Sequence, residues 1–455
     1  MNGFEPSVVD AVIKAYDIRG IVSEQLTVDL AKAVGAAFVR LLGDAGKTIV
    51  VGEDMRPSSP ALAKAFSEGA NSQGADVIRI GLASTDQLYF ASGSLNMPGA
   101  MFTASHNPAE YNGIKLCGVG AAPVGQDSGL RTIRDDLIAG VPEFGGPVGE
   151  TTHRDVLEEY AKHLISLVDV TKIRPLVIAV DAGNGMAGHT APAVFEKLPV
   201  KVVPLYFELD GTFPNHEANP IDPKNLKDLQ AAVLASGADL GLAFDGDADR
   251  CFIVDELGLI VNPSTLCGLI ARNELQRHKG AKVIHNLITS RSVPEVIAEN
   301  GGIPIRTRVG HSFIKAEMAS SGAVFGGEHS AHYYFADFWN ADSGMLAALH
   351  AISVLGNSDQ PLSEILRPYD RYASSGEINS RVADAKESIS RVKLVFESRT
   401  GVSIDYLDGM TVSAADWWFN LRASNTEPLL RLNVEARNEE EMHSICDEVL
   451  SIVRS

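Results

Sequence analysis

The chain repeats one plan three times. Each round opens on a short apolar run: Thr48-Ile-Val-Val-Gly52, then Leu176-Val-Ile-Ala-Val180, then Lys282-Val-Ile-His285. A polar or glycine-containing loop and a helix-like stretch follow, then a second run at residues 75–80, 200–205 and 302–306. Short β-rich runs alternating with helical stretches predict α/β units with mixed or parallel sheets. A third run in each round, at residues 99–103, 238–244 and 322–325, ends in polar residues. These are Ala-Ser-His-Asn-Pro, Asp-Gly-Asp-Ala-Asp-Arg and Gly-Gly-Glu-His-Ser-Ala-His. Ligands of open α/β sheets lie beyond the carboxyl ends of strands, so three loaded loops at comparable places predict one shared cleft.

The tail breaks the pattern. From about Tyr369 the order becomes strand, helix over 383–398, a turn at Asp408-Gly409, strand, and a last helix from about Asn438. That order predicts a smaller α+β domain. Pro368, Ser374-Ser375-Gly376 and the Gly/Pro-rich stretch 139–149 are the expected joints. The expected domains are therefore 1–150, 151–256, 257–368 and 369–455, within the three or four that 455 residues allow at roughly 100–200 per domain.

A formal charge of −19 argues against a nucleic-acid surface, which needs clustered Lys and Arg. If the substrate is a phosphate ester, its cleft must hold a local excess of cations against that field. No apolar run reaches the roughly 18 residues of a membrane span. Met-Asn-Gly-Phe-Glu-Pro at the start lacks the basic and apolar regions of a secretory signal. Cys117, Cys251, Cys267 and Cys446 have no CxxC spacing, which predicts neither zinc nor disulfides and suits a reduced cytoplasmic protein.

Asp245-Gly-Asp-Ala-Asp-Arg250 is the most informative loop. Carboxylates at Asp245, Asp247 and Asp249 can converge on one hard cation, and magnesium suits three protein oxygens with places left for water or phosphate. An EF-hand loop would also use this spacing, with Glu256 at its last position. Arg250 stands where that loop needs glycine, and the flanks read as strands. Arg250 is instead placed to fork onto phosphate.

Ser105, in Thr103-Ala-Ser-His-Asn-Pro108, follows a strand and could be a nucleophile, with His106 beside it. By itself the run reads equally as a turn or helix cap, and Gly-x-Ser-x-Gly is absent. Lys115 could neutralise phosphate or sit on the surface. Arg19, in Ala15-Tyr-Asp-Ile-Arg-Gly20, could bind phosphate or form a surface ion pair, and Tyr16 beside it is a candidate substrate contact. His311 and His332 are candidate proton carriers or buried structural histidines. Glu328 and Ser330 alternate along what reads as an extended segment, so both could face one sugar edge. Arg422-Ala-Ser-Asn-Thr-Glu-Pro428 offers a phosphate cradle through Arg422, Ser424, Asn425 and Thr426, or else a polar hairpin turn.

In this order and spacing the runs resemble the α-D-phosphohexomutase superfamily along essentially the whole chain. Thr-Ala-Ser-His-Asn-Pro looks like its phosphoserine loop and Asp-Gly-Asp-Ala-Asp-Arg like its magnesium loop. Gly-Glu-His-Ser-Ala-His looks like its sugar-binding loop, and Arg-Ala-Ser-Asn-Thr-Glu-Pro like its phosphate-binding loop. The resemblance implies three related mixed-sheet α/β domains and a C-terminal α+β domain around a central cleft. It implies phosphoserine at Ser105, which joins the three aspartates on magnesium, and a hexose 1,6-bisphosphate as intermediate and activator. Small sugar phosphates are the implied partners, with no nucleic acid or membrane, in a monomer or homodimer. Gly-Glu-x-Ser-x-His is similar to the bacterial phosphomannomutase and phosphoglucomutase branch, with His329 at the variable place. Mannose phosphates are the expected substrate, glucose phosphates a second; phosphoglucosamine mutase, phosphoglucomutase and a magnesium-dependent sugar phosphatase are the alternatives. Where relatives often carry a cleft lysine this chain has Ile288, leaving Arg306 or Arg308 to replace it.

Overall fold

The computed structural model describes residues 1–423 and 429–455, without the side chains of residues 44, 45, 311 and 312. The first sheet holds β1 (Ile18–Ile21), β2 (Thr48–Glu53), β3 (Asp76–Leu82), β4 (Gly99–Phe102), β5 (Tyr111–Cys117) and β6 (Thr151–His153), in the order β1-β5-β4-β2-β3-β6. The second orders β7 (Leu176–Asp181), β8 (Val200–Leu205), β9 (Leu240–Phe244) and β10 (Cys251–Asp255) as β10-β9-β7-β8. The third orders β11 (Lys282–Asn286), β12 (Ile303–Thr307), β13 (Phe325–Gly327), β14 (Tyr333–Phe335) and β15 (Ala341–Asp342) as β12-β11-β13-β14-β15.

One plan underlies all three. The strand that opens each repeat is central and pairs in parallel with the next two, and a fourth strand returns antiparallel beside the third. Central strands covered on both faces need continuous apolar runs, as Ile49-Val-Val51 and Ile178-Ala-Val180 supply.

The last sheet is antiparallel: β16 (Ala373–Arg381), β17 (Ser403–Asp405), β18 (Met410–Ser413), β19 (Trp417–Ala423) and β20 (Leu429–Ala436) lie in the order β16-β20-β19-β18-β17. Helices Ala385–Phe396 and Glu439–Val453 pack Val392, Phe396 and Val449 into its separate core. Asn438 caps the last helix, its side chain accepting from the Glu441 N–H.

Two joints differ from expectation. Ser374-Ser375-Gly376 lies inside β16, where the register shifts between Ser374 and Glu377 and Gly376 takes a φ of 64°. It is a β-bulge, which uses the same small residues as a linker. The first sheet runs past residue 150, because β6 pairs in parallel with β3.

The three repeated units are tied together through Asp86. This buried carboxylate accepts from Tyr160 Oη at 2.7 Å, from Ser343 Oγ at 2.6 Å and from Ser84 Oγ. Helices Thr85–Leu95, Leu157–Leu167 and Gly344–Gly356 thus meet at one polar point. The last domain attaches through Arg291 to the carbonyls of Ala414 and Ala415, the Arg306–Asp405 pair, Arg371 with Glu299, Tyr372 with Glu295, and a small cluster of Leu287, Ile288 and Trp418. No helix among the described residues is long and apolar enough to cross a membrane.

Candidate active site

The three loaded loops join the third strand of each unit to its antiparallel return, so the repeat brings them to one place. Each contains one residue other than glycine in the left-handed region: Ser105 at φ 50°, Ala248 at φ 60° and Ala331 at φ 65°. Such backbone costs roughly 1–3 kcal/mol per residue and persists only where surrounding contacts impose it.

Ser105 is buried and faces the aspartate loop. Its Oγ donates to Asp245 Oδ2 at 2.7 Å and lies 3.1 Å from His106 Nδ1, while its N–H donates to Thr103 Oγ1 at 2.9 Å. Gly246 allows this approach: a Cβ there would stand 2.4 Å from the Ser105 carbonyl oxygen. Arg250 Nε donates to Asp245 Oδ2 at 2.9 Å, and its guanidinium also reaches His106 Nδ1. Burial first, then the charges of Arg250 and Arg19, hold His106 well below the usual histidine value. Arg19 Nη1 donates to Asn107 Oδ1 at 2.7 Å, and Arg19 also pairs with Asp17.

Lys115 is no surface lysine. Its side chain is 11% exposed, and Nζ lies 2.6 Å from both Asp247 Oδ2 and Asp249 Oδ2. Burial works against its charged form, but the two carboxylates outweigh it and hold the pKa above the usual lysine value. Burial likewise raises Asp247 and Asp249, yet Lys115 turns the balance and both sit below the usual carboxylate range. Asp245 differs: burial, with the charges of Asp249 and Asp247, pushes it up to about 7 in spite of Arg250.

The cluster fits a divalent cation. Ligand oxygens of Asp245, Asp247 and Asp249 lie within 4.8 Å of one another. Asp247 Oδ1 and Asp249 Oδ1 are buried and accept no hydrogen bond among the described residues. Oxygens of this kind carry a desolvation penalty that a hard cation removes.

The sugar-loop candidates sit across from this cluster. His332 Nε2 lies 3.6 Å from Asp249 Oδ1, and its Nδ1 lies 3.6 Å from Glu328 Oε2 and 3.1 Å from Ser330 Oγ. Buried Glu328 accepts from Tyr334 Oη at 2.7 Å, Asn286 Nδ2 at 3.2 Å and the Gly310 N–H at 3.3 Å. Asn286 Nδ2 also lies 3.2 Å from His329 Nδ1. The segment is a tight turn rather than extended: Ala331 N–H donates to the Glu328 carbonyl, and Glu328 N–H to that of His332. Glu328 and Ser330 therefore do not share one strand edge, because the short β13–β14 hairpin needs its reversal there.

At the far end an open cavity of about 750 Å³ is lined by Tyr16, Arg308, Phe313, Asp408, Arg422 and Arg431 among others. Tyr16 meets Phe313 edge-on, with ring centroids 6.2 Å apart, and Arg308 lies over the Phe313 ring with its guanidinium carbon 4.8 Å from the centroid. The cations that the overall charge made necessary are thus gathered at both ends of the cleft. Arg306 is committed to Asp405 and Thr411, which leaves Arg308 as the cleft cation of that pair. Ile288 is buried against Trp418, where it packs the third unit on the last domain. Ser424, Asn425, Thr426 and the His311 side chain lie outside the described residues.

Two residues escaped sequence reading. Thr85 Oγ1 donates to Asp247 Oδ2 at 2.6 Å, across 162 residues of chain. Arg56 holds four backbone carbonyls around the Ser105 loop. Only the position of Arg56 just beyond a central strand hinted at a role.

Comparison with known proteins places the whole chain in one family. Phosphoglucomutase/phosphomannomutase models match in four pieces: α/β/α domain I over residues 10–138, domain II over 158–258, domain III over 262–372 and the C-terminal domain over 377–452. "Phosphohexose mutases" of Xanthomonas campestris pv. campestris (strain ATCC 33913) is 42% identical over 428 residues, covering 94% of this chain and 95% of that protein. The phosphomannomutase of Escherichia coli K12 is 41% identical over 440 residues, with 94% and 95% covered. A crystal structure of a phosphoglucomutase/phosphomannomutase family protein from Burkholderia thailandensis superposes with a TM-score of 0.89 at 31% identity, covering 99% of this chain and 98% of that one. Four domains in the order of the four loops, and relatives above 40% identity along nearly the whole length, make this chain a phosphohexomutase of the phosphoglucomutase/phosphomannomutase family.

Proposed function

We propose that the chain interconverts mannose 6-phosphate and mannose 1-phosphate through a phosphoserine at Ser105 and a hexose 1,6-bisphosphate, and accepts glucose phosphates as second substrates. One observation carries this reading: a single buried serine donates to Asp245, in the middle of the carboxylate cluster. One carrier and one cluster imply that both half-reactions use Ser105. The phosphoryl group leaves Ser105 Oγ for the free sugar hydroxyl; the P–Oγ bond breaks as the new P–O bond forms. His332 takes the hydroxyl proton, standing between Asp249 and Glu328. The bisphosphate then turns end for end, its other phosphoryl group returns to Ser105 Oγ as the P–O bond to the sugar breaks, and the freed sugar oxygen takes the proton that His332 holds.

Asp245, Asp247 and Asp249 would hold magnesium, with Ser105 phosphate as a further ligand; the ion supplies neutralisation of charge on the phosphoryl group. Arg250, Lys115, His106 and Arg19 orient and neutralise the same group. Glu328 and Ser330 bind sugar hydroxyls, while Tyr16, Arg308, Arg422 and residues 424–426 hold the phosphate that is not reacting. His311 is a second proton carrier, and the bisphosphate serves as activator. Mannose is favoured because curated relatives of about 40% identity are named phosphomannomutases.

Ser105→Ala should remove nearly all mutase turnover while leaving the fold intact. Mass spectrometry should find one extra phosphate on the parent protein and none on the variant. Full activity without Ser105, or phosphate on another residue, sinks the scheme. Turnover compared on mannose, glucose and glucosamine 1-phosphates, with bisphosphate supplied, ranks the sugars; release of inorganic phosphate from mannose 6-phosphate would indicate a phosphatase instead.

A further inference from the structure

Gly52-Glu-Asp-Met-Arg56 closes β2, and no step above uses Arg56. Its side chain is wholly buried. Nη1 donates to the carbonyls of Pro108 at 2.8 Å and Tyr111 at 2.9 Å. Nη2 donates to those of Ser105 at 2.9 Å and Asn107 at 2.7 Å. Nε lies 3.3 Å from Asp54 Oδ2, and Asp54 Oδ1 accepts in turn from Ser59 Oγ at 2.6 Å and the Arg56 N–H at 3.0 Å. The second unit covers this arrangement. Phe213 places its ring centroid 5.1 Å from the guanidinium carbon, and a Cβ on Gly211 would come within 2.6 Å of Arg56 Cα.

Four carbonyl dipoles converging on one buried point call for a cation with four donors in a plane. Guanidinium meets that demand; an ammonium, with three donors on one atom, does not. The loop it holds contains no glycine between Thr103 and Tyr111, yet it keeps Ser105 at φ 50°. The Ser105 carbonyl is gripped on one side by Arg56 and backed on the other by Gly246. Whatever fixes that carbonyl also fixes the gap between the serine and the aspartates.

We propose that Arg56 is a positioning residue for phosphoryl transfer, clamping the loop from beneath so that Ser105 Oγ meets the carboxylate cluster at reacting distance. This rests on the reading of Ser105 as phosphate carrier. Arg56 touches no substrate and acts through Ser105. Its loss should therefore slow transfer and spare the cations that bind the sugar phosphate at the open end.

The test uses the full chain with Arg56→Lys and Arg56→Met, read by steady-state turnover and by rapid-quench phosphorylation of Ser105 from glucose 1,6-bisphosphate. For Arg56→Lys, kcat should fall by about a hundredfold, the scale of a 1 Å misplacement, with KM changed by less than about threefold. The rate of Ser105 phosphorylation should fall by the same factor while the circular dichroism spectrum is unchanged. If Arg56→Met does not fold, Asp54→Asn keeps the guanidinium but removes its anchor, with a smaller loss in kcat alone. Parent-like kcat in Arg56→Lys, normal Ser105 phosphorylation in a slow variant, or failure of all three variants to fold would each overturn the clamp. A parent protein without phosphate on Ser105 would sink the carrier reading instead, so the two failures are distinguishable.

Discussion

At the serine end of the cleft, Lys115, Arg250 and three aspartates touch one another almost out of water. At the far end Arg308, Arg422 and Arg431 line an open cavity, and Arg422 and Arg431 approach Glu377 and Asp408 only at 3.4–3.8 Å. The difference follows what each end must do. On the proposed reading charge moves at the serine end, where preorganised groups in a dry site stabilise it most. On the same reading the open end holds either phosphate of a sugar that binds in two orientations, and arginines that line an open cavity and meet carboxylates only at long distances can do so without one exclusive geometry. The supports differ as well: the serine end rests on three units pinned at Asp86, the open end partly on the tail domain, which has a core of its own.

Breaking the buried end should have the largest effect. Asp247→Asn removes the negative charge that faces Lys115 and Thr85, and loss of one charge from a buried pair costs about 3–5 kcal/mol. Turnover should drop by about a thousandfold, the scale of losing one preorganised electrostatic contact, and a magnesium titration should show weakened activation. Retention of a tenth of the activity would mean that the buried charges are not the tightly coupled set.

Arg422→Ala tests the other side. A charged hydrogen bond of about 1.5–3 kcal/mol translates to a rise in KM of roughly 10- to 100-fold, with kcat changed far less. Raising the salt concentration should lift KM of the parent in the same direction, because charges facing an open cavity are screened more than those of the buried cluster. A loss confined to kcat would erase the distinction between the two ends.

The smallest expected effect concerns the supports. Burial pushes His285 down to about 4 and His350 to about 3, whereas the tail domain has a single histidine, His443, on an exposed helix face. A histidine with a folded pKa below its unfolded value of roughly 6.5 contributes stability that is present above pH 6.5 and lost as pH falls. Between pH 7 and 5 each should weaken the third unit by on the order of 1–2 kcal/mol. Hydrogen exchange by mass spectrometry should then rise in peptides covering β11 and the helix Gly344–Gly356 before it rises in β19 and β20. The opposite order would make the tail domain, and with it the open end, the acid-labile support.

Much of this was legible beforehand because it is periodic or local. The opening strands of the repeats announce themselves as apolar runs, since a strand covered on both faces has no polar alternation. The aspartate triplet offers a cation site through its own spacing. Small residues misled at Ser374-Ser375-Gly376, where a bulge asks for the same chemistry as a joint. The Glu328 turn was read as extended because five residues cannot show a hairpin's reversal without the strand that pairs with them. Arg56 and Thr85 were invisible because their partners lie 49 or more and 162 residues away.

Ser105 and Asp245 show where the division falls. The sequence by itself determined a threefold α/β plan, the tail domain, the acidic triplet and the placing of each loop after its unit's third strand, because these depend on neighbours along the chain. Only the tertiary structure decided that Ser105 Oγ meets Asp245, that Lys115 is buried between Asp247 and Asp249, and that Arg56 grips the serine loop. Those contacts join residues as much as 140 positions apart, and they exist because packed units exclude water and force buried charges and carbonyls to find each other.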